Sequence, residues 1–246
     1  MTDIPKMYID LLKKCLLDDI YKVQKNLANN ALASDNDIEN GKHWPERAHT
    51  MIGRKRMENI RYCLQSVLEN NIEGDVIETG VWRGGACIFM KGILKAYNSN
   101  KKVFVADSFE GLPRPDPRYP ADRGDNHHTI KILAVSLEEV TQNFKRYDLL
   151  DESVIFIKGF FEHSIPKAPI NKLAVLRLDG DMYSSTIQVL ESLYDKVSIG
   201  GYIIVDDWCL PNCRRAVNDF RTSRKIVDEI IEIDGVGIFW KKMKDT

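Results

Sequence analysis

Neither sign of charge dominates this sequence: 35 Lys and Arg residues stand against 36 Asp and Glu, for a formal net charge of −1 at pH 7. Without a one-signed field nothing draws the chain as a whole onto nucleic acid or an anionic membrane, and neither is expected as a partner. Long hydrophobic runs are also missing. The most apolar stretches are strand-length and broken by charge, and the opening MTDIPKMYIDLL lacks the basic start and apolar centre of a signal peptide, so an untargeted, cytoplasmic protein is expected. Cysteine is scarce and scattered. Cys15, Cys63, Cys87, Cys209 and Cys213 are odd in number and without framework spacing, which suits reduced thiols. Cys209 and Cys213 have no second Cys or His pair at matching spacing, so packed or surface thiols are preferred over structural zinc. Nine prolines, 15 glycines and 43% hydrophobic residues exclude a disordered or fibrous chain, and 246 residues suit one large α/β domain with a real core. Internal repeats and low-complexity tracts are absent.

What is present is a rhythm of strands and helices. Residues 6–24 carry Ile9, Leu12, Leu16, Ile20 and Val23 at steps of three and four, the spacing of an amphipathic helix, which offers a contact for a homo-oligomer. The stretch NLANNALASDNDIENGKHWPERAHTM is rich in Asn, Asp and Ala without sustained period and reads as a linker or mobile lid. Residues 1–50 are therefore set apart from a main domain over 51–246. Helical spacing resumes over 54–70. Strands follow near 75–79, 102–107, 154–158, 173–179 and 202–207, with helices near 85–98, 136–147, 184–197 and 211–224. That alternation predicts a doubly wound, Rossmann-like α/β sheet, mostly parallel. KIVDEIIEI and GVGIFWKK break the rhythm and meet through Asp234-Gly235, so the last strand should run antiparallel at or near an edge.

Ligands of doubly wound sheets bind beyond the carboxyl ends of the strands. After the first strand, ETGVWRGG brings Gly80, Gly84 and Gly85 to the start of a helix, where backbone can approach a ligand closely. The spacing G-x-x-x-G-G departs from the dinucleotide fingerprint, and a plain strand-to-helix turn would use the same residues. Asp107 ends the second strand and suits a ribose contact or a turn cap. In VLRLDGDMYSST, Asp179 ends a core strand and Asp181 follows; Asp206 and Asp207 end the next strand. Carboxylates converging from neighbouring strands repel unless a cation or proton intervenes, and an all-oxygen cluster suits Mg²⁺, Mn²⁺ or Ca²⁺ rather than zinc; helix caps are the alternative. Asp181 is left as a base or as a supporting partner. His127 and His128 lie in a polar loop where solvation is the plainer reading, and Trp44 and Trp208 suit a sugar face or core packing.

Taken together, MIGRKRMENI, GDVIETGVWRGGACIFMKG, VADSFEGLP, RLDGDMYSST and GGYIIVDDW followed by CRRAVNDFR closely resemble the macrocin O-methyltransferase family. The resemblance implies S-adenosylmethionine- and metal-dependent methylation of sugar hydroxyls on natural products. It implies donor contacts at Glu78, Thr79, Gly80, Trp82, Arg83 and Gly84 for the methionine and ribose portions, Asp107 and Ser108 for ribose and adenosine, and Gly159 and Phe160 beside adenine. Met51 and Ile52 would form a flap, and Asp179 would border the donor as well. Asp179, Asp206 and Asp207 match the family's metal triad, similar to that of catechol O-methyltransferases, with Mg²⁺ or another divalent cation implied. Ser184 departs from the family pattern, which often has an acid there. The expected partner is a small sugar or glycoside whose vicinal hydroxyls chelate the cation while Asp181, and after it Asp179, takes the proton. Two other readings share the sheet: an NAD(P)-dependent oxidoreductase, which leaves Asp206 and Asp207 unexplained, and a catalytically inactive binding protein, which leaves all three acids unexplained.

Overall fold

A computed structural model describes residues 3–21 and 23–245. The strands are β1 (Asp75–Thr79), β2 (Val103–Asp107), β3 (Val154–Lys158), β4 (Leu173–Leu178), β5 (Val197–Val205), β6 (Ile231–Glu232) and β7 (Ile238–Lys241). They form one sheet in the order β3-β2-β1-β4-β5-β7-β6. β1 to β5 pair in parallel, while β7 lies antiparallel to β5 and carries β6 at the edge. The order reverses direction between β1 and β4, so the loops leaving these two strands diverge and open a crevice above them.

The helices are α1 (Ile4–Leu16), α2 (Asp35–Asn40), α3 (Gly53–Glu69), α4 (Gly85–Ala96), α5 (Leu137–Arg146), α6 (Phe161–Ser164), α7 (Tyr183–Leu193) and α8 (Pro211–Ser223). One apolar layer joins α1, α3, α4 and α5 to the sheet, through residues such as Leu12, Ile60, Phe89 and Phe144. The other joins α7 and α8 to the opposite face, through Leu190, Val217 and Trp240. Among the described residues no helix is long and apolar enough to cross a membrane.

α1 is shorter than its periodicity predicts. It stops at Leu16, and Ile20 and Val23 are exposed; Lys22 of the predicted helix lies outside the described residues. Tertiary ion pairs override the pattern here. Asp18 takes a left-handed backbone at φ 54 and pairs with Arg47, and Arg54 grips Asp19 with two hydrogen bonds of 2.7 Å while also reaching Asp35 and Glu39. Ser34 and Asp37 form a reciprocal capping box that starts α2 inside the stretch read as a linker. Gly92 lets α1 seat on α4, since a Cβ there would lie 2.1 Å from Leu12. The tail is irregular over most of KIVDEIIEI, with only Ile231 and Glu232 in strand form.

Candidate active site

A cavity of about 370 Å³ opens over β1 and β4, within the range of small-molecule sites. Met51, Ile52, Glu78, Gly80, Trp82, Asp107, Ser108, Phe160, Asp179, Asp181, Asp206 and Asp207 all line it. Thr79, Arg83, Gly84 and Gly159 stand behind this wall. Thr79 is buried and donates its hydroxyl to the Arg177 carbonyl; Gly84 takes the left-handed backbone that starts α4; Gly159 donates its N–H to the Asp107 carbonyl. Arg83 turns away from the cavity, donating to the carbonyls of Ala48, Glu46 and Pro45 and so tying residues 45–48 to the β1 loop.

The β1 and β2 side of the cavity is built from backbone. At Gly80, φ is 87° and an added Cβ would lie 1.7 Å from the Asp179 carbonyl, so this turn admits no side chain. Asp107 accepts from the Val81 N–H at 2.7 Å on one oxygen and from the Phe109 N–H at 2.8 Å on the other. It thereby locks both loops, and its remaining lone pairs are available to a ligand hydroxyl. Burial pushes its carboxyl up, against these hydrogen bonds.

The β4 and β5 side is built from charge. Oxygens of Asp179, Asp206 and Asp207 lie within 4.8 Å of one another. None of them caps a helix: α8 has no side-chain cap, and α7 is capped by the wholly buried Asp122, which accepts from the N–H groups of Tyr183 and Ser184 at 2.7 and 2.9 Å. Asp181 adopts φ 57 and donates its own N–H to Asp207 at 2.9 Å, which holds it beside the triad. Beneath them Arg177 bonds Glu78, Asp179 and Asp206, and Arg56 bonds Asp206 and the turn residue Asp234. Two guanidiniums cannot neutralise so many acids. Burial pushes Glu78 up to about 7 and Asp181 up to about 6, while burial and neighbouring acids drive Asp179 and Asp207 well above the carboxylate range. A protein with these acids side by side binds protons or a hard cation there, and an oxygen-only donor set fits Mg²⁺.

Sequence reasoning overlooked Arg177, Arg56, Asp122 and Asp234. Arg177 carried a visible signal, a lone charge inside the apolar strand LAVLRL, which is buried along its whole length. Arg56 looks like part of an ordinary charged helix face, and Asp234 like a hairpin residue alone. Trp44 and His127 also line the cavity, with the His127 Nδ1 at 2.8 Å from Asp125, whereas Cys213 is buried against Thr186.

A family model described as Macrocin-O-methyltransferase (TylF) matches residues 9–242. The chain belongs to the macrocin O-methyltransferase family. Family relatives include the demethyldecarbamoylnovobiocin O-methyltransferase of Streptomyces niveus, 48% identical over 97% of this chain and 94% of that protein. The mycinamicin III 3''-O-methyltransferase of Micromonospora griseorubida is 45% identical over 96% of each. The 8-demethyl-8-(2,3-dimethoxy-alpha-L-rhamnosyl)-tetracenomycin-C 4'-O-methyltransferase of Streptomyces olivaceus is 44% identical over 97% of this chain and 94% of that protein. The solved structure of the O-methyltransferase NovP has a TM-score of 0.93 at 47% identity, covering 98% of this chain and all of that one. Membership of the macrocin O-methyltransferase family makes this chain an S-adenosylmethionine-dependent O-methyltransferase and sets the oxidoreductase reading aside.

Proposed function

We propose that this methyltransferase acts on a hydroxyl of a sugar or glycosylated natural product, with Mg²⁺ or a similar divalent cation held by Asp179, Asp206 and Asp207. The gathering of those three carboxylates within 4.8 Å, in the cavity that also holds the Gly80 turn, carries the proposal. The names of the relatives support the acceptor class, since they place the methyl at the 3'' position of mycinamicin III and the 4' position of a rhamnosyl tetracenomycin.

When bound, the donor supplies a methyl already activated on a sulfonium and the cation supplies Lewis-acid polarisation of a hydroxyl. The chain has three remaining tasks. It must hold the donor, and Glu78, Gly80, Trp82, Asp107, Ser108 and Phe160 are placed on the cavity wall to do so, with Met51 and Ile52 as the flap and Asp179 at the border. Thr79, Arg83, Gly84 and Gly159 serve the same end by shaping the loops behind. It must take a proton from the acceptor hydroxyl, and the Asp181 carboxylate does this. Its place on the cavity wall, held by the hydrogen bond from its N–H to Asp207, carries this role, and in the cation-free protein burial raises its carboxyl above that of an ordinary aspartate. Finally it must limit water at the site, the role assigned to the apolar surfaces of Trp44, Met51 and Phe160 on the cavity wall.

The experiment is a mass-spectrometric screen for a gain of one methyl group across a panel of deoxysugar glycosides, with S-adenosylmethionine and Mg²⁺. The expected result is methylation of at least one sugar hydroxyl, lost on chelation and restored by Mg²⁺. Methylation indifferent to EDTA would remove the cation from the reading, and methylation of aglycone hydroxyls alone would overturn the acceptor class.

A further inference from the structure

Arg177 is wholly buried and lies under the cavity floor rather than on its surface. Its Nη1 donates both to Glu78, on β1, and at 2.7 Å to Asp179, just after β4; its Nη2 donates to Asp206, just after β5. Its Nε is buried and has no partner among the described residues. One planar cation therefore spans the two subsites proposed above, with Glu78 on the donor side and Asp179 and Asp206 on the cation side. A guanidinium is rigid and carries a single charge, so three carboxylates sharing it compete for it. The sharing is closest at Nη1, whose two N–H groups go one to Glu78 and one to Asp179, so that both carboxylates draw on the same single charge.

We infer that Arg177 is a positioning residue that couples the two subsites. A divalent cation on Asp179 and Asp206 satisfies those carboxylates and leaves the guanidinium to Glu78, fixing Glu78 for the donor. By linkage a donor bound beside Glu78 favours the cation by the same factor. This rests on the assignment of the subsites under the proposed function. Arg56 supplies an internal contrast, because it bonds Asp206, Asp234 and the carbonyls of Asn40 and Gly41 but not Glu78, and so reaches the cation side without the acid on the donor side.

The test is titration calorimetry on the full chain with S-adenosylhomocysteine, with and without saturating Mg²⁺, and with Mg²⁺ alone. The expected result is a Kd for S-adenosylhomocysteine at least about 5-fold lower with Mg²⁺ present, within the usual span of coupling between sites. Arg177→Gln should bring that ratio to about 1. Glu78→Gln, nearly isosteric, should do the same from the donor side. Arg56→Gln should alter Mg²⁺ affinity and keep the ratio. Should Arg177→Gln fail to fold, as judged by its melting curve, the wild type and Glu78→Gln decide the matter. A wild-type ratio near 1, a folded Arg177→Gln with the ratio intact, or an equal loss in Arg56→Gln would overturn the coupling role. Failure of the wild type to bind Mg²⁺ at all would instead overturn the proposed cation site, and the coupling with it, so the two failures are distinguishable.

Discussion

The two walls of the cavity solve different problems. The wall from β1 and β2 presents backbone, with Gly80 stripped of any side chain and Asp107 spent largely on tying two loops together. The wall from β4 and β5 presents side-chain charge, with Asp179, Asp181, Asp206 and Asp207 crowded over two arginines. The first is shaped by backbone and joined to the other through Glu78 and Arg177. The second carries excess negative charge and is completed only by a proton or a cation. A methyl transfer needs both: a fitted seat for a large organic donor, and an electrostatic field where an oxygen must lose its proton.

The contrast breaks most sharply at Asp181. Asp181→Asn should lower kcat by about 100-fold or more while S-adenosylhomocysteine binding stays within about 2-fold, because general bases contribute factors of that size without holding the donor. Calorimetry and turnover on the same preparation separate the two effects. On the other wall Gly80→Ala should reverse the pattern, weakening S-adenosylhomocysteine binding by about 10-fold or more and lowering Tm. The left-handed backbone and the Asp179 carbonyl in the way of a Cβ together impose strain of about 1–3 kcal/mol.

The pH dependence of stability sharpens the comparison further. Glu78 at about 7 and Asp181 at about 6 hold protons more tightly folded than unfolded, where carboxyls titrate near about 4. Protonation therefore favours the folded state, so cation-free protein should gain stability as pH falls from about 8 to about 5. Half-buried His49, pushed down to about 4, works in the opposite sense, so the informative quantity is the difference in Tm with and without Mg²⁺ at each pH. That difference should shrink as pH falls, because protons then do the work of the ion; a difference independent of pH would count against charge crowding as the reason for cation binding. The smallest effect is expected at Arg83→Gln, which frees residues 45–48 from the β1 loop and, acting only through loops behind the cavity, should raise the S-adenosylhomocysteine Kd by only about 2- to 10-fold, the equivalent of about one net hydrogen bond.

Much of this was legible in the residues alone. Apolar strand runs ending in acids gave the sheet and its rim, and the rule that ligands bind at strand ends brought Asp179, Asp206 and Asp207 together before any coordinates. Local patterns failed where distant charges decide. Ile20 and Val23 keep helical spacing, but Arg54 and Arg47 pull Asp19 and Asp18 out of a helix. Asp122 sits in a loop more than sixty residues before the helix it caps, and Asp234 reads as turn chemistry while also receiving Arg56. Ion pairs across such separations leave no periodic trace, which is why Arg56 escaped notice; Arg177 was visible as a lone charge in an apolar strand, but its partners were not.

Gly92 has a consequence for how the protein is made. The notch it leaves on α4 is the seat of Leu12, about eighty residues earlier in the chain. During synthesis the first helix leaves the ribosome long before its berth exists, with Ile9, Leu12 and Leu16 uncovered until α4 has been translated. This helix is thus made well before the notch that receives it.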